Sequence, residues 1–538
     1  MAGEQKGTVF WKLALTLLLL GSIGFLTIDD AGISSDEEVE VEMVKWNIDL
    51  IRTGTPIPSD LKHYGAVFNA SAEVMYRLAR WIGFFDSPAT GSPEYRKRQE
   101  FLQRIKVKHI WTFLFGLIAC SAAAGITGIL AGPGSSHQIW IVPLVLSTFP
   151  RFWGHSFFNP KDVPFAAMMT VGTYGGICLL RRFDAVEPGK ETGLYLPAIL
   201  YGLLVALVTG VRIGGFVLLF FVPSAYLLIR RTRIKTDLIR FIFPYSALVL
   251  AWALLTVAIH PASWANPALW FKRTVEYLSA HQWGNTVLFA GNFVPAESAG
   301  ALYIPQWFLI TTPLLWQALF LTGMILIPLQ WKRLSANQQT TFTLLLLQIF
   351  FLPLLAIIRG STIYDEIRQF LFILPAIAVL CSVSVLRIYE KIQSKLLKIL
   401  AVSGLCVFVA PVILDMWRLH PYEYCYFNRA FGGLKPAQGR YETDYWGLSM
   451  RAGMEWINRE APAGSLVVSS TRLPSSKTFA KDALKVILLE EYKKAAYVAG
   501  FYYVARPRWD LQKEFADCPV VYEVRRQEVP LTIVRRCP

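Results

Sequence analysis

Three groups of polar residues interrupt a chain that is otherwise strongly apolar. The first is Gly32-Ile33-Ser34-Ser35-Asp36-Glu37-Glu38. Ser35 with Glu38 three residues later fits a capping box, which puts Asp36 in the first turn of a helix, where the helix dipole favours an ionised carboxylate. The second runs from Phe149 through Arg151, Trp153 and His155 to Asn159, Lys161 and Asp162. The third is cationic: Arg212, then Arg359 and Arg368 with Tyr364 and Asp365 beside them. Guanidinium groups hold phosphate oxygens in a two-pronged fork. A carboxylate beside such cations could take the proton of an attacking hydroxyl while the cations neutralise a departing phosphate. Each group also has a structural reading: acids that cap a helix, an interfacial aromatic belt with a snorkelling Lys161, and an Arg368–Asp365 ion pair.

Composition says where these groups sit. Of 538 residues, 54% are hydrophobic and 17% charged, against about a quarter charged in soluble proteins. The apolar residues fall in runs of roughly 18–25, enough to cross about 30 Å of hydrocarbon. Candidate spans lie near 9–28, 109–131, 138–157, 163–180, 194–211, 213–229, 239–259, 304–330, 340–358, 367–386 and 397–417. That is about 11 transmembrane helices, the third broken by Pro150, Arg151 and His155. The first run lacks a small-residue cleavage site and reads as a retained helix.

The net charge of +15 does not require nucleic acid, because basic residues collect in cytoplasmic loops of membrane proteins. With the N-terminus inside, those loops carry Arg181, Arg182 and Lys190; Arg230, Arg231, Arg233 and Lys235; Lys332 and Arg333; and Arg387, Lys391, Lys395 and Lys398. All three polar groups then fall on the outer side, and the tail is extracytoplasmic. One stretch disagrees: Arg96, Lys97, Arg98, Arg104, Lys106 and Lys108 also fall outside. They end a loop of about 80 residues, where the rule weakens.

The first outer loop, 29–107, carries two amphipathic patterns. Val39, Met43, Trp46 and Leu50 form one apolar stripe with Glu37, Glu38, Glu40 and Asp49 on the other side; Val67, Val74, Leu78 and Trp81 form a second. Both helices are expected at the membrane interface. A second large outer loop, 260–303, is rich in aromatics. The tail, 438–538, reads as a small α/β domain: a helix at 448–458, strands at 465–469 and 496–504, and a hairpin of 520–524 with 531–534. Cys518 and Cys537 flank that hairpin, and an oxidising compartment would let them pair; the spacing alone leaves this open. The seven cysteines show no metal-ligand spacing, and no internal repeat is visible.

In order and placement these pieces resemble the GT-C fold glycosyltransferases, specifically bacterial relatives of the dolichyl-phosphate-mannose protein mannosyltransferases (glycosyltransferase family 39). The anchors are Gly32–Glu37, Thr148–Ala166, Arg212–Gly215, Tyr303–Pro313 and Tyr364–Pro375, with His420–Tyr424 and Tyr441–Gly447 as a subgroup signature. The resemblance covers about residues 8–450, so 1–437 is the expected transmembrane catalytic domain. It implies an inverting transfer of a sugar, mannose by family default, from a polyprenyl-phosphate carrier to an acceptor hydroxyl on the extracytoplasmic side of a bacterial inner (plasma) membrane. The acceptor would be a glycan, lipid or protein, among membrane lipids. Asp36 is then the catalytic base, with Glu37 and Asp162 positioning substrates. Lys161, Arg212 and Arg368 would hold the donor phosphate, with His155 and Tyr364 as second-tier candidates. No cofactor is expected; some GT-C enzymes need a divalent metal, and this branch is expected not to. The chain departs from the eukaryotic members in having no insertion large enough for a MIR domain. Its tail instead resembles the small α/β domain of lipid A aminoarabinose transferases. A transporter or flippase for the same lipid is the rival reading, needing the arginines but no base; transporters often carry paired repeats.

Overall fold

The computed structural model describes residues 2–58, 61–86, 92–134, 136–230, 234–279, 283–470, 474–494, 500–506, 508 and 513–538. Long apolar runs become long helices because a helix satisfies its backbone groups within a single segment, as hydrocarbon requires. In chain order they are α1 (Ala2–Thr27), α2 (Glu37–Thr53), α3 (Val67–Trp81), α4 (Pro93–Ala131), α5 (Ile141–Ser147), α6 (Pro150–His155), α7 (Asp162–Ala185), α8 (Thr192–Val211), α9 (Leu218–Ile229), α10 (Ile234–Ile259), α11 (Pro267–Ser279), α12 (Tyr303–Thr311), α13 (Leu314–Leu329), α14 (Ala336–Arg359), α15 (Ile373–Lys391), α16 (Lys395–Leu419) and α17 (Met450–Glu460). Among the described residues, eight helices are long and apolar enough to cross a membrane. The bent pair α12–α13, at 118°, makes a ninth if counted as one span.

Three of the eleven expected spans therefore differ from a single long helix. The run at 138–157 splits into α5 and α6 where Pro150 removes a backbone donor. The run at 304–330 breaks at Thr312–Pro313, since the residue before proline is pushed out of helical geometry. The run at 213–229 is shorter, a 3-10 turn leading into α9.

Helix α15 and helix α7 lie at the centre, with 78% and 72% of their apolar windows buried, whereas α16 has 6% buried and faces outward. Gly202 of α8 meets the Leu248 carbonyl of α10, where a Cβ would sit 2.2 Å from that oxygen. Small residues allow such close helix approach in membranes. One face of the bundle gathers the end of α1 with the starts of α2, α7 and α15. The other gathers the opposite ends: Arg230 pairs with Asp184, Arg240 with Glu191, and Arg387 with Gln330. Arg231 and Arg233 lie outside the described residues.

The anomalous basic stretch belongs to α4, whose 39 residues span about 58 Å at 1.5 Å each and so outrun the bilayer. Protein groups neutralise most of it. Arg98 pairs with Asp482, Arg104 with Glu73 and Lys106 with Asp29, while Lys108 donates to Asn69 and the Glu40 carbonyl. Arg96 and Lys97 are exposed.

Helix α3 exposes Val74, Leu78 and Trp81 of its expected stripe, whereas Val67 packs against the helical core. Helix α2 corrects the expected pattern, because its buried residues are Glu37, Glu40 and Met43. Two acids face inward there because each finds a charged or polar partner. The second outer loop holds α11 and a hairpin of β1 (Thr286–Phe289) with β2 (Asn292–Pro295).

The tail carries β3 (Leu466–Ser469), β4 (Lys485–Leu488), β5 (Phe501–Ala505), β6 (Val520–Arg526) and β7 (Val529–Cys537). They form one sheet, ordered β4-β3-β5-β7-β6. Strand β3 runs parallel to β4 and β5; β7 runs antiparallel to β5 and β6. Helix α17 covers one face through Met450, Met454 and Ile457. The strand expected at 496–504 is β5, residues 496–499 lying outside the described set, and β4 had not been anticipated. Cys518 and Cys537 form a disulfide. Regular structure in the tail begins at Met450, while Tyr441, Tyr445 and Trp446 pack into the core of the helical body.

Candidate active site

A cavity of about 820 Å³ lies where the helical body meets the tail domain, within the size range of ligand sites. The body contributes Asp36, Tyr364, Asp365 and Arg368; the tail contributes Arg506 and Arg508; Glu442 and Trp446 lie between.

Asp36 stands at the cap of α2 and its carboxylate makes no capping bond. It therefore precedes the first helical turn by one residue. The backbone before it is anchored, since Ser35 N–H and Oγ both donate to the Trp446 carbonyl. The Asp36 side chain is 34% exposed, and Lys161 Nζ lies 3.8 Å from it. The same ammonium is 2.8 Å from Glu40 and 5.1 Å from the Tyr64 ring centre. Burial alone would lower the Lys161 pKa, but Glu40 and Asp36 outweigh it and raise it, so a full positive charge stands beside Asp36.

Glu37 does not line the cavity. It is fully buried, accepting from Ser34 N–H at 2.6 Å and contacting His109 Nε2 at 2.7 Å. Asp162 is also withdrawn, at 2% exposure. Arg212 approaches one of its oxygens at 2.7 Å and Arg368 the other at 3.2 Å. Both acids were expected to position substrates directly. Their carboxylates instead contact protein partners.

The Asp162 hub follows from local chemistry. Asn159 Oδ1 accepts the N–H groups of Lys161 and Asp162, and its Nδ2 donates to Asp162 Oδ2. This starts α7 with a fixed turn. Arg368 also donates to Asp365 through Nε and Nη2, at 3.2 and 2.9 Å. Its guanidinium lies 4.6 Å from the Trp446 ring centre and 5.1 Å from that of Tyr364. Tyr364 in turn stacks on Trp283 at 4.1 Å and 11°. Tyr364 is thus at the site. His155 is not: it is fully buried, 3.0 Å from Glu366 and 2.9 Å from the Tyr445 hydroxyl.

Several residues were outside the sequence-level site. Asp365 pairs with Arg368 as its spacing allows, and it also faces the cavity. Burial pushes its pKa up, Arg368 pulls it down, and the Asp36 charge adds to the rise. Burial likewise lifts Glu442 to about 7, with Asp365 adding to the rise and Arg508 opposing it. Arg508 donates to Glu442 at 3.1 Å and Thr286 at 2.8 Å. Arg506 donates to the Tyr445 carbonyl. Nothing in the tail's local pattern signals Arg506 or Arg508; only folding brings them opposite Asp36. Among the described residues no group of three His, Cys, Asp or Glu side chains could hold a metal ion.

No protein-family model matches the chain, and no curated protein matches it. The chain is similar to ArnT. That solved structure, from Cupriavidus metallidurans in the apo state, shares 11% sequence identity over 98% of each chain, with a TM-score of 0.49. At that identity no residue role passes from one chain to the other.

Proposed function

We propose that the chain is an inverting GT-C glycosyltransferase that moves a sugar from a polyprenyl-phosphate carrier to an acceptor hydroxyl. One observation carries the reading: a part-exposed carboxylate, Asp36, shares a cavity with Arg368 and pairs with Lys161, beside a cluster in which Arg212 and Arg368 flank Asp162. This is equipment for a base and a leaving phosphate at the end of membrane-crossing helices.

In the step, Asp36 takes the acceptor O–H proton as the acceptor oxygen bonds to the anomeric carbon. The bond from that carbon to the phosphate oxygen breaks, and the polyprenyl phosphate leaves with the electron pair. The transition state carries oxocarbenium-like charge, and the neighbouring cations stabilise the departing phosphate. The reading includes no metal, and transfer should persist in a chelator. The basic ends of α9, α10 and α16 support a cytoplasmic opposite face, with the cavity and tail extracytoplasmic. Mannose remains the default sugar.

The test is a purified protein in nanodiscs supplied with polyprenyl-phosphate mannose and an envelope extract as acceptor source. Asp36→Asn should keep folding and donor binding and lose transfer by on the order of 10²- to 10⁴-fold. Full activity in Asp36→Asn would remove Asp36 from the mechanism. Envelope glycans unchanged in cells lacking the protein would sink the transferase reading.

A further inference from the structure

Glu366 is not part of the cavity wall, yet it is fully buried and both its oxygens are engaged. One accepts from Arg151; the other lies 3.0 Å from His155 Nε2 and 3.0 Å from the Tyr445 hydroxyl. Its own N–H donates to the Tyr303 hydroxyl at 3.1 Å. The backbone here is unusual: Asp365 has φ 54° and Glu366 φ 60°. Two consecutive side-chain-bearing residues in the left-handed region are uncommon outside hairpin turns such as that at Gln527 and Glu528.

The contacts close into a ring. Because Asn159 Oδ1 accepts two backbone N–H groups, its Nδ2 is the donor toward His155 Nδ1, at 3.1 Å, and toward Asp162, at 2.9 Å. His155 Nδ1 is therefore an acceptor, and the ring proton on Nε2 faces Glu366 and the Tyr445 hydroxyl. Asp162 receives Arg368, and the chain from Arg368 back to Glu366 completes the circuit. The turn is thus gripped at Glu366 and at Arg368, with Asn159 linking the two grips.

We propose that Glu366 is a positioning residue that holds the left-handed turn at 364–368 so that Asp365 and Arg368 face the cavity. The role rests on the transferase reading for its consequence, and on the turn's geometry for its cause. Two variants of the full chain in nanodiscs test it: Glu366→Gln, and Arg151→Met with Glu366→Gln, which removes the charge left behind. The probes are amide hydrogen exchange and binding of polyprenyl phosphate alone, with thermal unfolding as the check on folding.

In Glu366→Gln, exchange across 364–370 should rise at least about tenfold and polyprenyl-phosphate affinity should fall about tenfold, with a cooperative unfolding transition retained. The double variant should unfold nearer wild type while its lipid binding stays weak. Wild-type binding in the double variant would reduce Glu366 to a neutraliser of Arg151 and overturn the proposal. So would unchanged exchange across 364–370 in Glu366→Gln. A wild-type protein that fails to bind polyprenyl phosphate overturns the transferase reading instead, and the exchange result still decides the role of Glu366.

Discussion

Asp36, Glu37 and Glu40 stand within five residues of each other and meet three different fates. Glu37 is enclosed with His109, Glu40 with Lys161 and Asn69, and Asp36 keeps its carboxylate partly open to the cavity. Sequence spacing shows an acidic helix start; it cannot say which acid stays open, because that depends on α3 and α4 packing against α2 and on where Lys161 reaches. Gly32 controls the same point. A Cβ there would sit 2.1 Å from the Leu448 carbonyl, so Gly32→Ala should push the 32–36 segment off its anchor. We expect transfer to fall at least about tenfold with the fold retained, and wild-type kinetics in Gly32→Ala would refute the anchoring. Arg368→Lys should also lose activity, since an ammonium cannot serve Asp365 and Asp162 together in a fork. The check is donor affinity, which should weaken more than acceptor affinity.

At the scale of elements, the ends of helices matter more than their middles. His420 ends α16 and contacts Asp30 at 2.9 Å and Glu423 at 2.7 Å, tying the outermost helix to the end of α1. Burial lowers its pKa, but Glu423 and Asp30 outweigh that and lift it to about 9. A histidine raised above its unfolded value of about 6.5 contributes stability that is full below pH 6.5 and lost as pH rises through about 9. Thermal midpoints should therefore fall across that window, and His420→Gln should flatten the fall; an unchanged slope would discount the contact. The eleven apolar runs were legible, as were α2, α3 and the hairpin of β6 with β7. Breaks at Pro150 and Thr312–Pro313 were less so, because proline in a hydrophobic run can kink a helix or end it. Neighbouring packing makes that choice.

For the molecule as a whole, the tail domain is a wall of the cavity rather than an appendage. Arg506 and Arg508 reach it from the end of β5, and Arg451 donates to the Asp29 and Ala31 carbonyls just before the Ser35–Asp36 segment. Its disulfide spans a sequence separation of 19, and closing a loop of that length restricts the unfolded chain by about 3 kcal/mol. Cys518→Ser should lower the domain's unfolding free energy by about that amount, measured by urea titration. If the reductant-treated wild type unfolds at the same urea concentration as the oxidised protein, the bond contributes nothing.

By itself the sequence determined the membrane class, the alternation of helix ends and the polar segments on one side, because hydrophobic length and loop charge are local properties. It also placed Asp36, Tyr364 and Arg368 at the cavity. Only tertiary structure decided that Asp162, Glu37 and His155 serve other residues, and that a left-handed turn joins Asp365 to Arg368. Those outcomes depend on which buried charges find partners from distant segments, since an unpaired charge in a low-dielectric interior is too costly to leave.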